Sequence, residues 1–203
     1  AVYFAFSGPH NLRLEGRADV TPATGPDVVT NFFDVLGVPP LMGRTFTDED
    51  TRPGARPVAV LSRAYWQRQF AGDSSVIGST VVLKGRQTTI IGVLPSTFDF
   101  GSIFAPGSRV DLFTPLNLVD ARDWGNIVTL IGRLGRDVTF QQARDDIQRV
   151  APDLYFNNLY PATRGRYRDA LVPTPLKTHV SGQWRRPLLV LWAAVGLVLL
   201  IAC

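Results

Sequence analysis

The stretch Pro57-Val-Ala-Val-Leu-Ser-Arg-Ala-Tyr-Trp-Gln-Arg-Gln-Phe70 reads as a strand that runs straight into a helix. Pro57 to Leu61 is a compact apolar run of strand length, and the Ser62 hydroxyl can accept from the first free amides of a helix. Trp66 and Phe70 then stand four apart on one face, with Arg63 and Arg68 elsewhere, which is an amphipathic pattern. Two further strand-like runs follow, Ser79 to Leu83 and Arg86 to Val93, joined by Lys84-Gly85. That is a two-residue hairpin connection in which glycine supplies the positive φ. Strand, helix and hairpin in succession predict an α+β fold.

Working outward toward the N-terminus, Ala1–Phe6 and Asn11–Glu15 are strand-like, and Ser7-Gly8-Pro9-His10 between them is a turn, so they predict a hairpin or two edge strands. Asp27 to Thr30 is extended. Asn31 can cap a short helix with Phe32, Phe33 and Leu36 on one face; Gly37 ends it and Pro39-Pro40 prevents continuation. Toward the C-terminus, Asp99 to Ser108 predicts a loop and Asn126 to Leu134 an extended run. Thr139-Phe-Gln-Gln142 is a capping box, followed by Ala143, Ile147, Val150 and Leu154 at helical spacing, with Pro152 interrupting the last turn. Ala170 to Val172 reads as a strand after that helix.

The last seventeen residues, Pro187 to Cys203, carry no charge, and ten of them are Leu, Val or Ile. As a helix they would span about 25 Å, at about 1.5 Å per residue, against a hydrocarbon core about 30 Å thick, so they read as the start of a transmembrane helix. Leu188, Leu191, Trp192, Val195 and Leu199 are the expected membrane-embedded side chains, and Trp184, Arg185 and Arg186 an interfacial collar. The chain thus reads as a piece of a longer protein. With a strand at Ala1 and no signal segment before it, its natural start reads as lying upstream.

Little here suits catalysis. The 21 basic residues against 17 acidic ones are almost all arginine, with lysine only at Lys84 and Lys177, and their scatter argues against a nucleic-acid footprint. Arg164, Arg166 and Arg168 form the densest cluster and read as a solvated face. Cys203 is the only cysteine, which excludes an intrachain disulfide and a cysteine-based metal site. Thr47-Asp48-Glu49-Asp50 lacks the glycine and closing glutamate of a calcium loop and suits a helix N-terminus instead. No phosphate-binding loop, dinucleotide glycine motif or nucleophile elbow occurs, and His10 and His179 lack metal-ligand spacing. Asp145 and Asp146, neighbours on a helix, diverge by about 100° and read as solvating its outer face.

Four motifs in order carry a family resemblance. They are Asn31-Phe-Phe-Asp-Val-Leu-Gly-Val38 with Gly43-Arg-Thr-Phe46, Pro57-Val-Ala-Val-Leu-Ser62 with Tyr65-Trp-Gln-Arg68, Val76-Ile-Gly78 with Gly92-Val-Leu-Pro95, and the tail Leu197-Val-Leu-Leu-Ile-Ala-Cys203. Together they resemble the extracytoplasmic core domain of MacB-type ABC transporter permeases, nearest the branch abundant in acidobacteria and related soil bacteria, and the tail resembles the start of that family's second membrane helix. The resemblance implies a two-lobed α+β core: a porter-like βαβ lobe from residues 1–36 and 125–182, and a small mixed α/β lobe inserted at 37–124. It implies a non-catalytic domain outside the bacterial cytoplasmic membrane, transmitting ATP-driven helix movement for export or release of a substrate. The implied partners are a cytoplasmic ABC ATPase, a second permease half, the lipid bilayer and an outer adaptor. ATP and Mg would be bound in the ATPase, and none of catalytic, cofactor or metal residues is expected in this chain. The alternatives are a membrane-tethered module of similar fold that activates a cell-wall hydrolase, and a tethered extracytoplasmic hydrolase. Arg185 and Arg186 would lie on the outer side, against the positive-inside tendency.

Overall fold

The computed structural model describes residues 2–4, 10–14, 20–104, 107–117, 128–150, 172–180, 192 and 195. The chain forms two compact units, Ala1–Arg133 and Leu134–Cys203. The described strands of the first are β1 (Val2–Phe4), β2 (His10–Leu14), β3 (Val20–Ala23), β4 (Asp27–Val28), β5 (Met42–Gly43), β6 (Val58–Leu61), β7 (Thr80–Leu83), β8 (Arg86–Val93), β9 (Leu112–Pro115) and β10 (Val128–Leu130). They make one mixed sheet in the order β10-β1-β4-β9-β6-β8-β7-β2-β3, with β5 paired to β8 beside that row. Helices α1 (Phe32–Leu36), α2 (Arg63–Phe70) and α3 (Phe100–Phe104) accompany it, and α4 (Phe140–Val150) belongs to the second unit.

β6 is buried at all four positions because it runs between two neighbours, parallel to β8 with a bulge at Ala59/Val60 and antiparallel to β9. A continuous apolar run suits such a strand, since both faces are covered. Directly after it the Ser62 hydroxyl accepts from the Tyr65 amide at 3.3 Å, starting α2 where the sequence places it. α2 buries Tyr65 and Trp66 against Leu61, Val81, Leu83, Ile90, Val93 and Leu112. The Trp66 indole, hidden with them, donates to the Asp73 carbonyl at 2.8 Å, so its one polar atom is satisfied. At the β7–β8 turn both Lys84 (φ 53°) and Gly85 (φ 75°) are left-handed, as a tight hairpin requires.

A second core forms around Phe113 of β9. Its ring meets Phe33 at 5.3 Å and Phe100 at 5.6 Å between centroids, both edge-on, the geometry favoured by ring quadrupoles. Phe32, Val28, Val60 and Leu94 complete the cluster. Gly25 stands where a Cβ would fall on the Leu112 carbonyl oxygen, so only glycine permits this approach of the β3–β4 link to β9.

Several expectations are corrected. β1 and β2 form neither a hairpin nor edges: β1 lies between β10 and β4, and β2 between β7 and β3. Each strand has its backbone groups paired on both sides by strands distant in the chain. Asn31 starts α1 without a side-chain cap; the Phe32 amide is taken by the Val29 carbonyl at 3.0 Å. The span from Asp99 to Ser108 holds α3, begun by Asp99, whose Oδ1 accepts from the amides of Gly101 (3.0 Å) and Ser102 (3.3 Å). β3, β5 and β9 are strands that the sequence reading leaves out. The Thr139 capping box is present, with the Thr139 amide donating to Gln142 Oε1 at 2.8 Å and the Gln142 amide to Thr139 Oγ1 at 3.3 Å. Leu154, Ala170 and Leu171 lie outside the described residues, and Val172 is not in a strand.

The acidic cluster at residues 47–50 opens a 3₁₀ turn, Asp48–Thr51, and Asp50 is held by a bidentate pair with Arg44 at 2.7 and 2.8 Å. The Arg44 hydrogen bonds hold the Asp50 carboxyl below its usual range. A folded value below the unfolded one, about 3.9, means that the contribution to stability is complete above that value and fades as pH falls through the folded value. The stability difference between the parent chain and Asp50→Asn, measured by urea unfolding, is therefore expected to shrink from pH 7 toward pH 2. Phe113→Ala is expected to lower stability by about 3–5 kcal/mol in the same assay, because it empties the centre of the aromatic cluster.

Candidate functional site

Beside the start of β9 a carboxylate is buried. Asp111 is 1% exposed, and an ion in that position is tolerable only if its oxygens are taken. Its Oδ1 receives Arg68 Nη2 at 2.6 Å and Arg109 Nε at 3.2 Å, and its Oδ2 accepts from the Thr24 amide at 3.0 Å. The Thr24 hydroxyl, 3.2 Å from Oδ2, has its shorter contact with the Arg109 carbonyl at 2.6 Å. The Ser62 amide donates to the Asp111 carbonyl at 2.8 Å. One residue thus ties the β3–β4 link, the start of α2 and the entry to β9. Arg68 also stands over the Tyr65 ring, its Cζ 5.2 Å from the centroid, which holds the guanidinium in place.

On the other side of β9, Thr114 donates its hydroxyl to Asp27 Oδ1, and Lys84 Nζ lies 3.6 Å from the same oxygen. This joins β4, β9 and the β7–β8 turn.

Next to the Asp111 cluster is a cleft of about 600 Å³, open to solvent, between the first turn of α2, the residues before α3 and those leading into β9. Arg63 and Arg109 border it, Phe98 and Phe113 line its wall, and Asp99 contributes a carboxylate already engaged in starting α3. The cleft thus sets guanidinium groups beside the half-buried Phe98. Among the described residues no group of three or more His, Cys, Asp or Glu is placed to hold a metal ion. His10 is in β2, and His179 is in a helical turn at residues 176–180. Asp145 accepts from Gln141 at 2.9 Å and Asp146 from Arg149 at 3.2 Å, neighbours on an exposed helical surface.

Of the residues expected at or in the membrane, Trp184, Arg185, Arg186, Leu188, Leu191 and Leu199 lie outside the described residues. Trp192 and Val195 are helical, with exposures of 75% and 49%. Among the described residues no helix is long and apolar enough to cross a membrane. The sequence reading overlooks Asp111, Arg109 and the cleft. The one available signal is a lone acid inside the apolar run Val110-Asp-Leu-Phe113, where a charge must find partners supplied by distant residues.

Comparison with known proteins bears on the whole of this unit. The family model for the MacB-like periplasmic core domain matches residues 4–150. The periplasmic region of MacB from Actinobacillus actinomycetemcomitans superposes with a TM-score of 0.55 at 21% identity, covering 75% of this chain and 66% of that one. The extracellular domain of the noncanonic ABC-type transporter YknZ from Gram-positive bacteria gives 0.53 at 21% identity, with coverages of 77% and 75%. A permease-protein domain from Porphyromonas gingivalis gives 0.53 at 17% identity, with coverages of 80% and 67%. At these identities the likeness is one of fold, a mixed α/β domain with a mixed sheet. No curated protein sequence matches the chain significantly.

Asp111→Ala is expected to cost about 2–4 kcal/mol, since it leaves the Thr24 amide unsatisfied and two guanidinium groups without their carboxylate. Thr24→Val keeps the amide and is expected to cost about 1 kcal/mol. Urea unfolding of both variants measures the difference, and equal losses would contradict the assigned geometry.

Proposed function

The chain belongs to the MacB-like periplasmic core domain family, and from that premise we propose that it is the extracytoplasmic domain of an ABC transporter permease. In this reading it passes ATP-driven movement of membrane helices to the outer side for export or release of a substrate. The observation that carries it is the family match from residue 4 to residue 150, from the last residue of β1 through the described strands and helices that follow it to Val150 of α4. The mixed-sheet likeness to the MacB and YknZ domains supports it.

The role assigned to the chain is mechanical. A cytoplasmic ATPase binds ATP and Mg and supplies the free energy; a second permease half, the bilayer and an outer adaptor complete the assembly. The division into a porter-like lobe, residues 1–36 with 125–182, and an inserted lobe, 37–124, belongs to the same proposal. So does the entry of force through the apolar tail, with Leu188, Leu191, Trp192, Val195 and Leu199 in the membrane and Trp184, Arg185 and Arg186 at its surface.

Fractionation of the natural full-length protein tests this reading: it is expected in the cytoplasmic membrane together with an ATPase, and a wholly soluble product would overturn it. Leu191→Arg, which adds about 3 kcal/mol to the insertion free energy near a bilayer centre, is expected to reduce membrane retention of the 203-residue chain. Retention equal to the parent's, measured by carbonate extraction, would remove the tail from the membrane role.

A further inference from the structure

The chain leaves the sheet-bearing unit through Ile131, Gly132 and Arg133, and the second unit begins at Leu134. Ile131 directly follows β10 and packs against the Phe113 cluster, so it is anchored in the core. Arg133 is anchored on the surface instead. Its Nε donates to the Val35 carbonyl at 2.8 Å, across 98 positions of chain. The guanidinium also stands over Gly37, where a Cβ would fall 3.0 Å from Arg133 Nη2.

Val35 lies in the last turn of α1, where carbonyls have no amide ahead of them in the helix. The Phe33 carbonyl is taken by the Val38 amide at 2.9 Å and the Asp34 carbonyl by the Gly37 amide at 3.1 Å. The Val35 carbonyl is reached from outside the helix, by a cation at the negative end of the helix dipole. Between the two anchors stands Gly132. Every other described glycine has a left-handed φ or a close neighbour where a Cβ would lie, and Gly132 has neither. Its backbone freedom is thus used by no turn and no packing contact, and such positions in connecting segments are where changes of φ and ψ are absorbed. The Arg133 side chain is exposed, and a single exposed hydrogen bond is weak enough to break and re-form thermally. We propose that Arg133 is a clasp on the segment leaving the first unit. Closed on Val35, it makes the onward chain pivot after Arg133; open, it moves the pivot back to Gly132. The inference rests on the exit of the first unit and is independent of the permease reading.

The test uses the full 203-residue chain in a non-ionic detergent, with one nitroxide label at Leu134→Cys, an exposed position directly after the clasp. Cys203→Ser removes the only native thiol. Continuous-wave EPR then reads segment motion on the nanosecond scale. The parent is expected to show a slow major component and a fast minor one. Arg133→Ala is expected to raise the fast fraction at least threefold, and Arg133→Lys, whose ammonium can still donate to the carbonyl, less than twofold. Adding Gly132→Ala to Arg133→Ala is expected to lower the fast fraction at least twofold, because the methyl has room there but narrows the backbone's range. A control label at Gln87→Cys, exposed on β8, is expected to give one spectrum in all variants. An unchanged Leu134 spectrum in Arg133→Ala overturns the clasp, and no effect of Gly132→Ala on that spectrum overturns the pivot. Equal changes at Gln87 and Leu134 assign Arg133 to the stability of the whole unit and also overturn the proposal. Each of these outcomes leaves the membrane-fractionation result of the full-length protein unaffected.

Discussion

Strand β9 is four residues long, and both its backbone edges are used, parallel to β4 at Asp27↔Thr114 and antiparallel to β6 at Val60↔Phe113. Along the sheet it is the one described link between β10, β1 and β4 on one side and β6, β8, β7, β2 and β3 on the other. The link extends past its own ladder: the Asp111 and Leu112 amides both donate to the Thr24 carbonyl, at 2.7 and 3.2 Å, and the Leu116 amide to Val28 at 2.8 Å. Residues 24–28 and 111–116 thus close on each other over most of their length. That approach explains Gly25, where no side chain fits, and the Phe113 ring cluster on the adjoining face.

The buried Asp111 carboxylate works within the same seam. A charge there costs several kcal/mol in lost hydration unless each oxygen is occupied, so the site tolerates only an arrangement in which Thr24, Arg68 and Arg109 all arrive. The cluster is therefore a better source of uniqueness than of net stability, since it penalises misplacement of any of three segments. Arg109, which contacts Asp111 at the entry to β9, also borders the cleft beside α2.

The role proposed for this domain asks for elements that hold together under load. The strong features of this unit are a continuous hydrogen-bonded sheet, two apolar clusters and a buried ion network. β6, buried on both faces and followed at once by α2, is the backbone of that arrangement. The ladder and the side-chain clusters meet at β9.

The elements legible in the sequence are those whose signals are local. Ser62 with Trp66 and Phe70, Lys84-Gly85 between two apolar runs, Gly37 after Leu36, and Thr139 with Gln142 each place a boundary through groups only a few residues apart, and the structure has each of them. By itself the sequence thus determined where α2 and α4 begin and where the β7–β8 hairpin turns, that the fold mixes helices with strands, and that a long uncharged tail follows. Only the tertiary structure decided which strands are neighbours. It separated β1 from β2, made a strand of Leu112–Pro115 between two partners, and gathered Thr24, Arg68 and Arg109 around Asp111. The reason is physical: a helix or tight turn satisfies its backbone within its own span, whereas a strand or a buried charge is satisfied only by groups far away in the chain.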